Sequence, residues 1–599
     1  MITTAAPVTA AAPSPPARRA LSWGLAALLA GTALLYLWNL TATGWGNSYY
    51  AGAIQAGAQS WKAWLFGATD VGSVVTVDKP PAAMWLPGLF ARVFGVSSWT
   101  VLVPQALMGV AAVWLLYATV RRTSGVAAGL LAGAGLALTP VAALMFRYDQ
   151  PDALLTLLLV AGAYCTVRAV EKASPAWLAL AGVTVGFAFL TKMLQGFLTL
   201  PALTLAYLVA APTSLWRRVG HLALGLVSVV VSTGWYVALV AVWPTDSRPY
   251  IAGSTDDSVL ELALGYNGLG RIFGGDGNPG GAGGMGGANV GFGGESGLGR
   301  MFGSAFGVEV SWLLPAALVG LVAGLWFTRR APRTDRTRAA LLLWGGWTVV
   351  TGLVFSLMSG IVHPYYAVAL APGVVAVAAI AGRELWRGRA HPPARFVLAG
   401  MVAVTGVWTF ILLDRSPEWL PWLRWVVLAA AVIVATALAV GMPARALGVV
   451  AVVTALLGTG AFTVATAAEA HSGSIPLSGP VSTDGDQMGR IGPGVSTELA
   501  ELLAATDTTW AAAATGGPES ADLALASGRS VIGIGGWNGG DPAPTLAEFQ
   551  RFVENGEISY YVGGGRMGRP GGSDDIAEWV ADNFESRTID GQTVYDLRG

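Results

Sequence analysis

The sequence predicts a polytopic α-helical membrane protein of about thirteen transmembrane helices, followed by a small α/β domain. Three observations carry that expectation. Hydrophobic residues make up 54% of the 599-residue chain and charged residues only 12%, about half the ~25% usual in a soluble globular protein, so most of its surface must face something other than water. Apolar windows of the ~17–25 residues needed to cross a hydrocarbon core recur from residue 21 to residue 466. Beyond about residue 470 the pattern changes to short strands alternating with amphipathic helices.

Residues 1–20 are small, polar and Pro-rich and read as a disordered tail. The first apolar run, 21–40, follows Arg18-Arg19; it is too long for a signal-peptide core and reads as a retained first span. Further spans fall near 99–120, 125–144, 152–170, 176–190, 194–211, 219–243, 309–328, 339–358, 361–382, 396–413, 421–440 and 444–466. Basic residues mark alternate connections: Arg18-Arg19, Arg121-Arg122, Arg168 with Lys172, Arg217-Arg218, Arg329 to Arg338, Arg383 to Arg395, and Arg445. Positive charge favours the cytoplasmic side, so these connections and the N-terminal tail are expected inside the plasma membrane. The odd number of spans then puts everything after the membrane domain, 21–467, outside; residues 468–599 form an extracytoplasmic α/β domain.

Two outer connections are long. The first, 41–98, contains two apolar stretches, 61–66 and 84–94, expected to be short helices lying in the interface. The second, 244–308, contains a Gly-rich run at 274–299 that reads as a disordered insertion. In the C-terminal domain, helices are expected at 496–505, 545–555 and 573–584, strands at 529–534, 558–562 and 593–597, and a turn at 537–542. The Gly run 533–540 lacks the Lys spacing of a phosphate loop and gives little reason to expect a nucleotide. Thirty-five basic residues balance thirty-five acidic ones, which argues for no nucleic-acid partner. The single cysteine, Cys165, lies in an apolar run and excludes an internal disulfide.

Ionisable groups near a bilayer are costly unless paired, which makes the outer helix ends informative. They carry Asp70, Asp78-Lys79-Pro80-Pro81, Arg147-Tyr148-Asp149-Gln150-Pro151-Asp152, Lys192, and His363-Pro364-Tyr365-Tyr366. A lipid-borne phosphate lies at this depth, where Lys79, Arg147 or Lys192 can neutralise it and stabilise the charge that grows as it leaves. Asp78, Asp149, Asp152 and Asp70 are the carboxylates available to take a proton from an attacking hydroxyl. The Pro-Pro pair fixes an extended backbone that aims Asp78 and Lys79. Each residue also has a plainer reading. The cations can snorkel, Asp152 can cap a helix, Asp70 can be an ordinary loop acid, His363 can satisfy a backbone group, and Tyr365 and Tyr366 can belong to an interfacial belt.

These features together resemble the C-type membrane glycosyltransferases. Asp78-Lys79-Pro80-Pro81 is similar to the Glu-Lys-Pro-Pro stretch of the protein O-mannosyltransferase and aminoarabinose transferase branch, and Asp152 resembles its second-loop Asp. Segments 103–109, 191–195 and 533–542 look like a bacterial subgroup, named as mannosyltransferases, that ends in a small soluble domain. The resemblance implies transfer of a hexosyl group from a polyprenyl-phosphate sugar, with inversion, to a glycan, lipid or protein acceptor in the cell envelope. It implies no certain cofactor and no metal ligand, although a divalent cation remains an option. One departure is plain. The family places an acidic pair soon after the first helix, its Asp serving as base, where this chain has Gly46-Asn47-Ser48-Tyr49-Tyr50. A neutral amide cannot be a base, so either the role passes to another acid, Asp78 or Asp152 foremost, or the acceptor differs and needs less help; Asn47 and Tyr50, with His363, Tyr365 and Tyr366, are expected to contact substrate. A secondary transporter and a non-catalytic envelope assembly protein are the competing expectations, but the charges lie at helix ends and no pair of matching halves is visible.

Overall fold

The computed structural model describes residues 15–274, 293–443, 445–480, 494–563 and 573–598. The expected tail thus lies largely, and the Gly-rich run mostly, outside the described residues.

Where no water reaches the backbone, a chain satisfies its peptide groups by forming helices, and the membrane part is helical throughout. Ten described helical segments are long and apolar enough to span a bilayer, from Trp23–Thr43 to Arg445–Ala468. The expected count of thirteen differs for identifiable reasons. The windows 99–120 and 125–144 lie largely in one 40-residue segment, Ser98–Ala137, which turns sharply at Gly125 (φ 83°). Leu200–Ala210 and Leu423–Ala439 have only 11 and 17 residues. The first is short because the helix Pro175–Lys192 ends at Lys192 and the chain continues as a 3-10 turn, Met193–Phe197.

The first outer connection folds into three helices. Trp61–Phe66 and Ala82–Phe94 match the expected pair, and their Trp61, Val93 and Phe94 side chains stay exposed, as suits lipid contact. A third, Ser48–Gln59, was not legible; Asn47 starts it by accepting the Tyr49 amide at 3.2 Å. Between these helices the chain runs extended and pairs with the second outer connection. The Thr76 amide donates to the Tyr250 carbonyl (2.9 Å), and the Tyr250 amide to that of Val74 (3.0 Å). Residues 74–77 are thereby fixed just before Asp78.

The C-terminal domain is a five-stranded sheet in the order β2-β1-β3-β5-β4, with β1 Trp510–Thr515, β2 Val531–Ile534, β3 Ile558–Gly563, β4 Ser586–Ile589 and β5 Gln592–Asp596. β1 runs parallel to β2 and β3, while β5 is antiparallel to β3 and β4. The expected strands and helices are present. β1, β4 and the helix Gly517–Ser527 are additions.

This domain sits on the first outer connection. Helix Ser48–Gln59 packs along helix Gly517–Ser527, where the Gln55 amide donates to the Ala524 carbonyl at 3.0 Å. Gly517 is required by that approach, since a Cβ there would lie 2.2 Å from the Tyr49 ring. The Trp510 indole donates to Asp70 (3.0 Å), and the Val71 amide to Ser530 (3.1 Å).

Candidate functional site

The same end of the helical bundle gathers most of the charges that the sequence singled out. Pro81 starts helix Ala82–Phe94 with helical backbone angles, so the preceding Asp78 and Lys79 stay in the loop and turn inward. Both are almost wholly buried. Lys79 Nζ lies 2.5 Å from Asp78 Oδ2, and the Tyr50 hydroxyl approaches Asp78 Oδ1 at 3.5 Å. The Asn267 side-chain amide donates to the Asp78 carbonyl, tying the motif to the second outer connection.

Asp152 opens the helix Asp152–Lys172 and is fully buried. It caps no amide. Its Oδ2 instead binds Lys192 Nζ at 2.6 Å, and Oδ1 has no hydrogen-bond partner among the described residues. Lys192 is the last residue of its own helix, where the dipole favours a cation, and the break at Met193 frees its side chain to reach across. Its ammonium lies 3.8 Å from the centre of the Tyr366 ring and 5.0 Å from that of Tyr365. His363 stacks on Tyr365 with ring centres 5.5 Å apart. Burial, with Arg271, Lys192 and Lys79 nearby, holds the imidazole well below its usual range, so it is neutral.

One residue of this cluster was not foreseen. Arg271, from the short helix Gly270–Phe273, is buried with its guanidinium 4.6 Å from the Tyr266 ring centre and a hydrogen bond to the Ile361 carbonyl at 3.3 Å. Three arginines fall in the second outer connection, a countable signal that could have flagged it. Arg248 pairs with Asp257, and Arg300 binds the carbonyls of Phe355 and Met358, which leaves Arg271 to the pocket. Burial opposes the charge of Arg271, and the nearby Asp78 favours it. Burial pulls the Lys79 ammonium down, Asp78 pulls it up, and Arg271 adds to the lowering.

Lys79, Lys192, Arg271, Gln195, Asn267 and Tyr366 line a single pocket together with the apolar Leu194, Leu198, Ile272, Val354, Phe355 and Met358. Two carboxylates, Asp78 and Asp152, pair with two of the three cations, so the site carries one uncompensated positive charge among apolar side chains. That combination fits an anionic headgroup on an apolar chain.

The other expected site residues lie elsewhere. Arg147 donates to the carbonyls of Leu35 (2.9 Å), Tyr36 (3.1 Å), Trp38 (2.7 Å) and Ala467 (2.9 Å), ending the first membrane helix instead of facing the pocket. Asp149 is enclosed beside Gln105 (2.9 Å), and burial holds it well above the usual carboxylate range. Asp70 binds Trp510 and the Val74 amide (2.9 Å) at the junction with the C-terminal domain. Asn47 is occupied as a helix cap. Among the described residues no group of three His, Cys, Asp or Glu side chains is arranged to hold a metal ion.

Comparison with known proteins extends this picture. Residues 78–236, which begin at Asp78 and include Lys79, Asp152 and Lys192, match the family model described as Dolichyl-phosphate-mannose-protein mannosyltransferase. Residues 499–583 match a second model, Putative mannosyltransferase YkcB-like, C-terminal. Two Bacillus subtilis (strain 168) proteins, named Putative mannosyltransferase YycA and Putative mannosyltransferase YkcB, are each 29% identical over 94% of this chain and 94% and 92% of their own. Among solved structures, ArnT from Cupriavidus metallidurans bound to undecaprenyl phosphate matches with a TM-score of 0.58 at 17% identity, over 96% of this chain and 98% of that one. The Archaeoglobus fulgidus oligosaccharyltransferase AglB, in complex with an inhibitory peptide and a dolichol-phosphate, matches with a TM-score of 0.50 at 12% identity, over 92% of this chain and 70% of that one. The structural likenesses establish the fold, and the sequence likenesses cover nearly the whole chain. The chain is thus similar in sequence, over nearly its whole length, to proteins named as putative mannosyltransferases, and similar in fold to ArnT.

Proposed function

We propose that this protein transfers a hexosyl group, mannose by analogy with the names of its relatives, from a polyprenyl-phosphate sugar to an envelope glycan, lipid or protein on the outer face of the plasma membrane. The observation that carries the reading is the buried trio Lys79, Lys192 and Arg271 lining one pocket with apolar side chains. A polyprenyl-phosphate sugar is a phosphodiester with one negative charge. When its C1–O bond breaks, the phosphate gains a second, and fixed cations stabilise the transition state more than the ground state. Asp78 and Asp152 pair with Lys79 and Lys192 and favour their charged forms against burial, and Tyr50 and Asn267 hold the Asp78 loop in place. Tyr365, Tyr366 and neutral His363 offer aromatic and polar surface for the sugar.

Charge supports the orientation proposed here: the basic connections lie at the opposite ends of the helices from this site, which favours a cytoplasmic N-terminus with the site and the 468–599 domain on the outer face.

The test uses full-length protein in lipid nanodiscs with undecaprenyl-phosphate mannose and a soluble mannoside as acceptor probe. Release of undecaprenyl phosphate coupled to a new glycosidic bond is expected, together with saturable binding of undecaprenyl phosphate. No binding of undecaprenyl phosphate, and no turnover across a panel of lipid-linked hexoses, would overturn the reading.

A further inference from the structure

The family's first-loop acid is absent here, and the four carboxylates singled out in the membrane part each have a partner on at least one oxygen. Asp78 is held by Lys79 and Tyr50, Asp152 by Lys192, Asp149 by Gln105, and Asp70 by Trp510 and the Val74 amide. One acid reaches this region from the other domain. Asp541 lies in the loop after β2, and its oxygens accept the Gly253 amide of the second outer connection at 3.2 and 3.0 Å.

That loop is built to aim it. The Asp541 amide donates to the Gly535 carbonyl (3.0 Å), the Gly535 amide to that of Ala543 (2.8 Å), and the Gly517 amide to that of Gly536 (2.7 Å). Gly536 has φ 65°, and a Cβ there would lie 2.0 Å from Asp541 Oδ2, so the carboxylate rests directly on bare backbone. Next to it, Trp537 meets the Tyr49 ring edge-on with centres 4.8 Å apart. Tyr49 belongs to the stretch that lacks the family acid. Asp541 is half-buried, and it acts electrostatically on Tyr49, Tyr250 and Tyr266, while Asp78 acts on it.

We propose that Asp541, delivered by the C-terminal domain, is the general base that takes the acceptor's proton in place of the carboxylate missing at Asn47. The inference rests on the transferase reading. In the step, the acceptor hydroxyl oxygen bonds to C1 of the sugar as the C1–O bond to phosphate breaks. The bonding pair leaves on the phosphate, held by Lys79, Lys192 and Arg271, and the hydroxyl proton passes to Asp541. Burial pushes the Asp541 carboxyl up to about 6, the Gly253 amide opposing and the Asp78 charge adding to the rise, which suits a base working near neutrality.

The experiment compares full-length wild type with Asp541→Asn, whose amide oxygen can still accept the Gly253 N–H but cannot take a proton. A loss of about 100-fold or more in kcat is expected from removing a general base, with undecaprenyl phosphate binding and Tm unchanged. In wild type, kcat should fall about tenfold per pH unit below about 6, as Asp541 becomes protonated, and D541N should lack that limb. The other titratable groups acting at Asp541 are Asp78, Tyr49, Tyr250 and Tyr266; D541N retains all four and so separates their contribution. A D541N variant with wild-type kcat overturns the inference and leaves the transferase reading standing. If D541N melts early, the wild-type profile decides, and a kcat flat from pH 5 to 7 overturns it. A wild type that neither binds undecaprenyl phosphate nor turns over any lipid-linked hexose removes both.

Discussion

The two ends of the helical bundle handle charge in opposite ways. At the end bearing the pocket, Lys192 and Asp152 are 5% and 0% exposed at 2.6 Å, and Lys79 and Asp78 are nearly as buried. At the other end, Arg122 and Glu171 pair bidentately at 2.8 Å but remain 33% and 20% exposed. Arg387 is 63% exposed beside Glu384, and Arg333 spends its donors on the carbonyls of Val209, Ala211 and Thr213. An exposed pair contributes ~0–1 kcal/mol and is screened by salt, so the pairs at the basic end add little to stability. A buried pair stabilises little relative to apolar residues, yet losing one partner costs ~3–5 kcal/mol. The proposed function gives those buried charges a phosphate to bind.

The strongest challenge to this contrast is Lys192→Met. It strands Asp152 in the interior and removes a phosphate partner, and loss of both undecaprenyl phosphate binding and detectable turnover is expected. The double variant K192M/D152L restores neutrality, so it should regain Tm but not binding. Recovered binding would mean the pair is only structural. Arg271→Gln comes next. Removing a charge-assisted hydrogen bond worth ~1.5–3 kcal/mol should weaken undecaprenyl phosphate binding about 10- to 150-fold, read by titration, with Tm near wild type. Trp510→Phe tests the junction between domains. It leaves buried Asp70 short of one donor, and a penalty of ~1–3 kcal/mol should appear as faster protease cleavage between membrane part and C-terminal domain. The smallest effect belongs to the basic end, where Arg122→Ala should lower stability by ~1 kcal/mol or less, read as a small change in Tm, and leave turnover unchanged.

Much of this was legible in the sequence because the membrane imposes a simple code of length and charge. The outer cluster was readable one residue at a time, since Asp78, Lys79, Asp152 and Lys192 all stand at apolar helix ends. The pairing of Asp152 with Lys192 was not, because it depends on the helix break at Met193. Arg147 misled for a related reason: a cation at a helix end looks the same whether it faces a ligand or four carbonyls. Arg271 was hidden by the glycine-rich run that follows it. In the C-terminal domain, the alanine-rich 510–515 carries helix propensity yet forms the strand between β2 and β3, where burial favours small side chains. Asp541 sits in a run that was judged only against a phosphate loop, and its placement beside Gly253 comes from tertiary structure alone.

The contact between Gln55 and Ala524 joins residues 469 positions apart. A ribosome finishes the membrane helices long before it makes the partner for the first outer helix. The junction of the first connection with the C-terminal domain is therefore completed last, and under the role proposed for Asp541 so is the site. On that proposal a chain lacking the C-terminal domain would keep Lys79, Lys192 and Arg271 while lacking its base, which would tie the onset of turnover to the end of biogenesis.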